Sequence, residues 1–424
     1  MVTHTMPPPY VAMPRAGADP HSAVWPTRII VFTPILVATV FAKFAPLGSM
    51  MPAIGLLFPC ILLALGAGLL TGRLEFVPTR LALLLLVLSI LSLIQVWRGD
   101  MFSLGSLAMM AVLGLAYTPA ARPDTVTHED AMRFFCNLSV IIALAGVLQF
   151  ALQFVGGTAL AFPIETFVPE EFRTRGYNDM NVLYYGSTIY KATGFVMLEP
   201  SVFCQLCAVG LTCELVYRSR GWRMVAYAAA IIVSYSGTGL LILAVTLPML
   251  VILHRRWDLL LRGLFLVGVL ALLVEPLNLN VTMSRASEFS SSGSSAFIRF
   301  VGWMELFADK LWNEPARALL GYGSGSFFEA AANYRAGEMA HAKIVFEFGV
   351  LGGLLYFAFI LYCLLGSRAP VVLRAGILVA YFMNGAYSPS VTGFATSLLL
   401  WPTTVTAPDR RARPARLEDA AHAH

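Results

Sequence analysis

Charged residues are scarce in this chain of 424 residues. Asp, Glu, Lys and Arg together make up 12% of it, about half of the share that soluble domains carry, whereas hydrophobic residues make up 58%. The mean hydropathy is +0.73. A soluble core does not account for so many apolar runs of about 20 residues. The composition therefore predicts an all-α, polytopic membrane protein with one helical bundle.

The sequence also lacks the motifs that most often mark nucleotide and metal sites. It contains no Walker motif, no G-x-G-x-x-G, no H-E-x-x-H and no paired-aspartate motif. The six cysteines lie in or near apolar runs. The pair Cys204-x-x-Cys207 has a redox spacing, which we interpret as ordinary packing inside a membrane helix. We expect no metal, no cofactor and no disulfide, and chemistry that is electrostatic and acid–base in kind.

Apolar runs predict twelve membrane spans. They cover residues 28–45, 50–70, 80–97, 101–118, 131–155, 192–217, 222–235, 238–253, 259–274, 343–365, 371–387 and 391–404. The predicted bundle thus extends over residues 28–404. Residues 1–27 are rich in proline and lack the apolar core of a signal peptide, so we expect a disordered cytoplasmic tail there. We expect a basic cytoplasmic tail at residues 405–424.

The arginines indicate an orientation. With both termini in the cytoplasm, the short basic loops fall inside and the short outer turns carry little positive charge, as the positive-inside rule requires. Two long loops, at about residues 156–191 and 276–342, then fall outside. Long segments are exempt from the charge rule, so their basic residues need another explanation. Loops of this length in a compact bundle are typical of functional sites.

The longer loop contains FIRFVGWMELFADKLW, whose apolar residues fall mostly on one face of a helix. This pattern predicts an amphipathic helix at the membrane interface. Arg299 interrupts the apolar face, and two interpretations stay open. Its guanidinium either snorkels to the lipid headgroups or clamps phosphate oxygens in a bidentate manner. Arg285 is a weaker candidate for the same role.

His341 stands where this loop ends and the next apolar run begins, and it is the one histidine that the predicted topology places outside. A helix cap or a surface position explains it as well as a general base or a phosphate partner does. Lys343 follows and adds positive potential. The preceding turn LLGYGSGS, which contains Tyr322, either exposes backbone N–H groups to an anion or serves as a plain turn.

Taken in order, these features resemble a known family. FIRFVGW, then LLGYGSGSF, then a histidine that opens a helix continuing as EFGVLGGLLYF, are similar to the O-antigen ligase/polymerase superfamily of Wzy/WaaL type. Upstream, KATGFVMLEPS resembles the family's R-x-x-G-x-F-x-E/N-P segment, above all the EPS form of exopolysaccharide polymerases, and SYSGTGLLIL resembles its S-x-S-R/G-x-G-L-L helix start. The likeness covers residues 191–365. It departs at Ala342, where the family commonly has asparagine, and at Lys191, where it often has arginine.

The resemblance implies a GT-C-like bundle in a bacterial inner membrane. It would transfer glycan from undecaprenyl pyrophosphate to a hydroxyl acceptor at the periplasmic face, with inversion and without a metal. The implied catalytic residues are His341 as base, Arg299 as phosphate-binding cation and Glu199. An acid in a membrane is a functional hypothesis in itself, although a helix entry near water also explains Glu199. It would pair with Arg299 or Lys191, or bind the acceptor sugar. The substrate-binding candidates are Lys191, Arg173, Arg175, Arg285, Lys343 and Tyr322.

Three functions stay open. The first, which the LEPS sequence favours, is a polymerase of lipid-linked repeat units into exopolysaccharide or O-antigen. The second is an O-antigen ligase that transfers finished glycan to lipid A core. The third is a transporter or flippase for the lipid-linked oligosaccharide, although we find no internal repeat of the kind common in transporters. The expected partners are the undecaprenyl-pyrophosphate-linked glycan, membrane lipid, and a chain-length regulator or export machinery, with no nucleic acid.

Overall fold

The computed structural model describes residues 20–45, 56–98, 103–123, 125–184, 186–259, 261, 294–385 and 388–403. Arg285, most of the Ser-rich part of the longer loop, most of the predicted span 259–274 and the tail 405–424 lie outside the described residues. The described part of the chain is mostly helical. The predicted all-α class is confirmed in this coarse form.

The helices follow one another with short connections. Before the gap at residues 262–293 they are α1 (Pro20–Val40), α2 (Leu57–Leu70), α3 (Pro78–Arg98), α4 (Leu104–Ala116), α5 (His128–Ala161), α6 (Pro163–Phe167), α7 (Pro200–Tyr217), α8 (Gly221–Ser234) and α9 (Thr238–His254). After it they are α10 (Ser295–Phe300), α11 (Gly302–Leu306), α12 (Pro315–Leu320), α13 (Phe327–Tyr334), α14 (Ala340–Leu365), α15 (Val371–Met383) and α16 (Pro389–Phe394). π-helical segments follow α11 and α16, at Phe307–Leu311 and Ala395–Leu400.

Several helices are candidates for crossing a membrane, judged by their length and composition. Within the described residues, four helices are long and apolar enough: Pro78–Trp97, His128–Phe167, Pro200–Tyr217 and Ala340–Leu365. Shorter apolar helices lie at Val24–Val40, Leu57–Leu70, Leu104–Ala116, Gly221–Ser234, Thr238–His254, Val371–Met383 and Ser390–Leu400. Hydropathy alone overestimates several helix lengths, because buried non-helical ends are as apolar as the helices that they extend.

The start of α7 is the clearest case. The predicted span 192–217 is helical only from Pro200, and the residues before it include two with positive φ, Gly194 (+67°) and Phe195 (+64°). The side chain of Gln149 on α5 holds this segment, because its Oε1 accepts from two backbone N–H groups there at 2.8 and 3.2 Å. Pro200 then occupies the first helical turn, where a missing N–H is tolerated.

Two other helices are longer than predicted. α1 begins at Pro20, ahead of the predicted start at residue 28, and α5 continues to Ala161 across a break at Gly157. α5 begins at a capping box formed by Thr127 and Asp130, which satisfies backbone N–H groups of its first turn. The Asp130 carboxylate also accepts from the guanidinium of Arg28 at 3.0 Å, and this ion pair joins α1 to α5.

The core is built around α7, which packs against α5, α8 and α9. Small residues let these helices approach closely. At Gly146 a Cβ atom would lie 2.2 Å from the ring of Phe203, and at Gly210 it would lie 2.7 Å from the ring of Tyr227. The Tyr227 hydroxyl is hydrogen-bonded to the Ser139 hydroxyl at 2.8 Å, so the buried phenol is satisfied.

The two ends of the bundle differ. At one end a short antiparallel sheet joins β1 (Leu74–Phe76) to β2 (Pro119–Ala121). At the other end residues 163–199 and 294–343 meet, and we call this the loop end. Here the residues that follow α1 also join the first of these segments, through the hydrogen bond from Ala45 N to the Phe172 carbonyl at 2.9 Å.

α14 is broken close to the loop end, at Gly349 (φ +70°, ψ −179°). The break leaves backbone carbonyls without helical partners. N–H groups of the glycine turn at residues 321–325 take their place and donate to the carbonyls of Phe346 and Glu347, both at 2.9 Å. Glycine is required at the break, because a Cβ atom on Gly349 would lie 2.2 Å from the carbonyl oxygen of Leu319.

We predict that Gly349→Ala lowers the free energy of unfolding by about 2 kcal/mol or more, because alanine is strained at positive φ and its Cβ would overlap a neighbouring backbone. Thermal melting of the purified protein in detergent measures the effect. The matched control is Gly66→Ala in α2, where an added Cβ meets nothing within 4 Å and helix propensity improves. Equal melting temperatures for the two variants would contradict this account of the break.

Candidate functional site

Arg299 and Glu199 form an ion pair at the loop end, although 100 positions separate them in the chain. Arg299 Nη2 donates to Glu199 Oε2 at 2.8 Å and to the hydroxyl of Ser201 at 3.1 Å. The Ser201 hydroxyl in turn donates to Glu199 Oε2 at 2.8 Å. We call these three side chains the arginine triangle. It contains the pairing of Glu199 with Arg299 that was one of the alternatives left by the sequence.

Local structure places each member of the triangle. Glu199 is the residue before α7 and has an extended backbone, and its side chain does not cap the helix. The positive end of the α7 dipole nevertheless favours a carboxylate there. Arg299 lies in the last turn of α10, whose first turn is capped by the Ser294 hydroxyl accepting from Phe297 N at 3.0 Å.

The ion pair is partly open. Of the side-chain surfaces, 23% is exposed for Arg299 and 19% for Glu199. Among the described residues, Glu199 and Ser201 contact Nη2, whereas Nε and Nη1 of the same guanidinium have no partner there. A guanidinium presents five N–H donors in a planar fork. Arg299 can therefore keep its protein contacts and still bind an oxyanion.

Tyr177 and Asn178, in the segment that precedes Lys191, lie close to Glu199. The backbone N–H of Asn178 lies 3.4 Å from Glu199 Oε1. Although 39% of Tyr177 is exposed, desolvation of its phenol and the carboxylates of Glu199 and Glu338 raise the pKa of Tyr177 to about 12. The phenol therefore stays protonated at neutral pH and can donate a hydrogen bond.

His341 is the second residue of α14 and packs beside α11. Its ring meets the Trp303 ring edge-on, with 4.9 Å between the centroids, and Trp303 lies four residues after Arg299. The backbone carbonyl of Phe382 accepts a hydrogen bond from the His341 ring. Because that bond takes the N–H of a neutral imidazole, the other ring nitrogen is left as a proton acceptor.

Lys343, which was expected to add positive potential, is buried and lies close to two carboxylates. Its side chain is 9% exposed, and its Nζ lies 3.5 Å from Glu347 Oε1 and 3.7 Å from Glu338 Oε2. The Glu347 side chain is completely buried. The charge of Lys343 thus balances a buried carboxylate that would otherwise be strongly destabilising.

The glycine turn contacts an anion, but this anion belongs to the protein. The carboxylate of Glu347 accepts from the backbone N–H of Gly325 and lies 3.4 Å from the Ser106 hydroxyl. The N–H of Ser324 donates to Gln95 Oε1 at 2.9 Å, and further N–H groups of the turn bond to α14 carbonyls. The turn therefore serves the break in α14 and not the phosphate site that the sequence allowed.

Tyr322 is also committed to protein contacts. Its ring stacks on Phe346 at 4.7 Å with 10° between the planes, and the Arg317 guanidinium lies over it at 4.8 Å. Its hydroxyl donates to the carbonyl of Lys310 at 3.0 Å. Tyr322 was a predicted substrate-binding residue, and in this arrangement both faces of its ring are covered by protein groups.

The segment FIRFVGWMELFADKLW is not one interfacial helix. α10 and α11 are separated at Val301, and the π-helical segment Phe307–Leu311 follows them. Their apolar face packs on α13 and α14, in a cluster that includes Leu306, Phe307, Leu311, Phe327, Ala331, Ala342 and Phe346. The segment is thus anchored to the bundle, and this anchoring positions Arg299.

A second group of charges lies at the same end. Lys43, which follows α1, contacts Glu165 on α6, and both side chains are buried. Lys43 Nζ also donates to the Thr193 hydroxyl at 3.3 Å. The guanidinium of Arg173 lies 3.8 Å from Asp179. Lys43 was not a predicted site residue, because residues 28–45 were predicted as a single apolar span.

The remaining predicted cations differ in exposure. Lys191 is 7% exposed, and its backbone N–H donates to the carbonyl of Asn181 at 2.9 Å. Arg175 is exposed and makes no ion pair with any residue that the structure describes. Glu347 was missed, although its position four residues after Lys343 is the spacing at which charges pair on a helix.

The site therefore combines three chemical capacities. The arginine triangle offers a held cation with free N–H groups, Tyr177 offers a neutral donor, and His341 offers a ring nitrogen that can accept a proton. Such a set can bind an oxyanion while it deprotonates a hydroxyl group.

We predict that Arg299 and Glu199 are energetically coupled. Arg299→Gln and Glu199→Gln should each lower the melting temperature, and the double variant should lose less than the sum, with a coupling of about 1 kcal/mol or more. The reason is that either single change leaves a partly buried charge without its partner.

The control cycle uses Arg133 and Glu129 on α5, a pair at 3.3 Å whose side chains are 50% and 61% exposed. Solvent screening should leave its coupling within experimental error. Strictly additive effects at Arg299 and Glu199 would show that the pair contributes nothing to the loop end.

Comparison with known proteins does not add to this geometry. No protein-family model matches the chain, and neither the curated proteins nor the solved structures contain a match to it. The family likeness described from the motifs therefore stays an expectation. Any assignment of function rests on the residues of the loop end themselves.

Proposed function

We propose that this chain is a membrane glycosyltransferase that polymerises undecaprenyl-pyrophosphate-linked oligosaccharide repeat units. In this proposal it is a GT-C-like protein of twelve spans in a bacterial inner membrane, with both termini cytoplasmic and the loop end periplasmic. The observation that carries the proposal is the arginine triangle, whose segment packs on His341 through Trp303. It brings a cation with open N–H groups to the same end of the bundle as a potential base.

The proposed reaction assigns a part to each group. The bond between the anomeric carbon and the pyrophosphate oxygen breaks, and the electron pair leaves with the pyrophosphate. The acceptor hydroxyl oxygen forms the new glycosidic bond on the opposite face of the sugar, which inverts the anomeric centre. The proton of that hydroxyl passes to the free ring nitrogen of His341. The guanidinium of Arg299 stabilises the charge that develops on the leaving pyrophosphate.

Glu199 and Ser201 orient Arg299 in this proposal and do not react. A guanidinium held by two partners loses less conformational freedom when it binds a ligand. The Tyr177 hydroxyl, which is protonated at neutral pH, adds a neutral donor at the edge of the triangle. Arg175, which is exposed, is a further cation for the same anionic donor.

An O-antigen ligase would use the same donor chemistry, and the LEPS sequence remains the feature that favours a polymerase. The phenotype of a deletion strain separates the two functions. Loss of all long chains, with single repeats retained, supports the polymerase. Loss of capping on the lipid A core, with polymer still linked to the lipid, supports the ligase.

We predict that purified protein extends lipid-linked repeat units, extracted from a deletion strain, into a ladder of longer products with EDTA present. Arg299→Ala should reduce this rate about 100-fold or more, because it removes the charge that stabilises the leaving group. His341→Ala should reduce it about 100- to 10,000-fold, because it removes the base. Gel separation of the labelled products measures the rates.

Arg133→Ala is the matched control. This arginine is exposed and lies in the first turns of α5, whereas the last turn of α5 leads into the loop end. Its rate should equal that of the unmodified protein. The proposal fails if Arg299→Ala and His341→Ala, produced at normal levels and folded at the assay temperature, retain full polymer synthesis.

A further inference from the structure

Two amide side chains, one buried and one partly exposed, meet one helical turn from the arginine triangle. Gln205 lies on α7, one helical turn after Ser201, and is completely buried. Its Oε1 accepts from Nδ2 of Asn384, the residue that follows α15, at 2.6 Å. Asn384 is partly exposed. Neither residue was a sequence candidate, because single amides in apolar surroundings carry no motif.

Hydrogen bonding determines which way each amide faces. Asn384 Nδ2 also donates to the backbone carbonyl of Ala380 at 2.6 Å, and a carbonyl can only accept. The NH₂ group of Asn384 must therefore face both Ala380 and Gln205. Its two hydrogens are used in these bonds. The side-chain oxygen Oδ1 is the polar atom of Asn384 that is left to accept a bond from elsewhere.

The main chain of Asn384 lies against the start of α14. Its carbonyl accepts from the N–H of Ala340 at 2.8 Å, and Ala340 directly precedes His341. The carbonyl of Phe382, two residues before Asn384, accepts from the His341 ring. The main chain of Asn384 thus adjoins the segment that carries the potential base, His341. Its side chain contacts Gln205, which lies one helical turn after Ser201.

We infer that Oδ1 of Asn384 accepts a hydrogen bond from a hydroxyl group of the acceptor glycan, next to the hydroxyl that His341 deprotonates. Gln205 is a positioning residue, which holds the Asn384 amide in the required orientation through its own Oε1. This inference rests on the proposed function. It adds a subsite for the acceptor glycan to a site in which Arg299 and Tyr177 suit the anionic donor.

The chemistry favours a neutral, hydroxyl-bearing ligand. An amide oxygen without a counter-charge would repel a phosphate and accept readily from a sugar hydroxyl. A purely structural role would need Gln205 to satisfy both ends of its amide. Among the residues that the structure describes, however, its Nε2 has no hydrogen-bond partner. The contrast is Gln149, whose Nε2 and Oε1 both bond to backbone and side-chain partners.

Kinetics with separate donor and acceptor test this inference. The donor is the lipid-linked material from a deletion strain, and the acceptor is the oligosaccharide released from the same material by mild acid. Asn384→Leu should raise the KM for the acceptor about tenfold, because one hydrogen bond to the acceptor is lost. The KM for the donor should stay within about twofold of that of the unmodified protein. Gln205→Leu should raise the acceptor KM in the same direction.

Gln205→Glu is the decisive conservative variant. At this completely buried position the new carboxyl should stay protonated, so it keeps a neutral oxygen for Asn384 Nδ2. The acceptor KM should therefore stay within about twofold of that of the unmodified protein. Asn313→Leu, which changes an exposed amide bonded to the Asp309 carbonyl at 2.9 Å, controls for the substitution itself. An unchanged acceptor KM in Asn384→Leu, or equal rises of both KM values, would overturn the inference.

A binding measurement separates this inference from the proposed function. Calorimetric titration of purified protein with the released oligosaccharide should show binding that Asn384→Leu weakens about tenfold. If the oligosaccharide binds and Asn384→Leu weakens its binding, but the unmodified protein does not extend the lipid-linked donor, the proposed polymerase is wrong and the glycan subsite stands. If the unmodified protein extends the donor and Asn384→Leu binds and extends equally well, the subsite is wrong and the polymerase stands.

Discussion

The loop end depends on one physical constraint, which is that a charge removed from water must meet a partner. Arg299 and Glu199 satisfy this constraint together, because Arg299 Nη2 lies 2.8 Å from Glu199 Oε2 although 100 positions separate the two residues. The pair joins α10 to the start of α7 and brings the two long loops into one site. Because both side chains remain about one fifth exposed, the pair is held in place without being sealed from a ligand.

The same constraint decides which charges are open to a substrate. Lys343 and Glu347 are buried together beside the glycine turn, and Lys43 is buried against Glu165. These groups hold the backbone at the loop end. Arg299, with two of its nitrogens unpartnered among the described residues, remains partly open to a ligand. The division follows from burial, since a fully desolvated pair cannot exchange its partner for a ligand without a large penalty.

Sequence reasoning found what depends on composition and on local order. The apolar helices follow from hydropathy. The pairing of Glu199 with Arg299 was expected as one alternative, because the predicted topology places both residues on the outer side of the membrane. Contacts between residues that lie far apart in the chain could not be predicted in this way. The glycine turn resembles an anion site in sequence, but the anion that it binds is the carboxylate of Glu347. Ala342, where the family commonly has asparagine, is completely buried in an apolar cluster. The Gln149 contacts that delay the start of α7 leave no local pattern either.

The central claim is that the loop end binds a lipid-linked pyrophosphate through the arginine triangle. Photo-cross-linking tests it most directly, with an undecaprenyl pyrophosphate probe that carries the photoreactive group beside its phosphates. Peptide analysis should place the cross-links in α10 and in residues 173–201, and Arg299→Ala should abolish them. Cross-links at the β1–β2 end of the bundle, or cross-links at the loop end that Arg299→Ala leaves unchanged, would contradict the account.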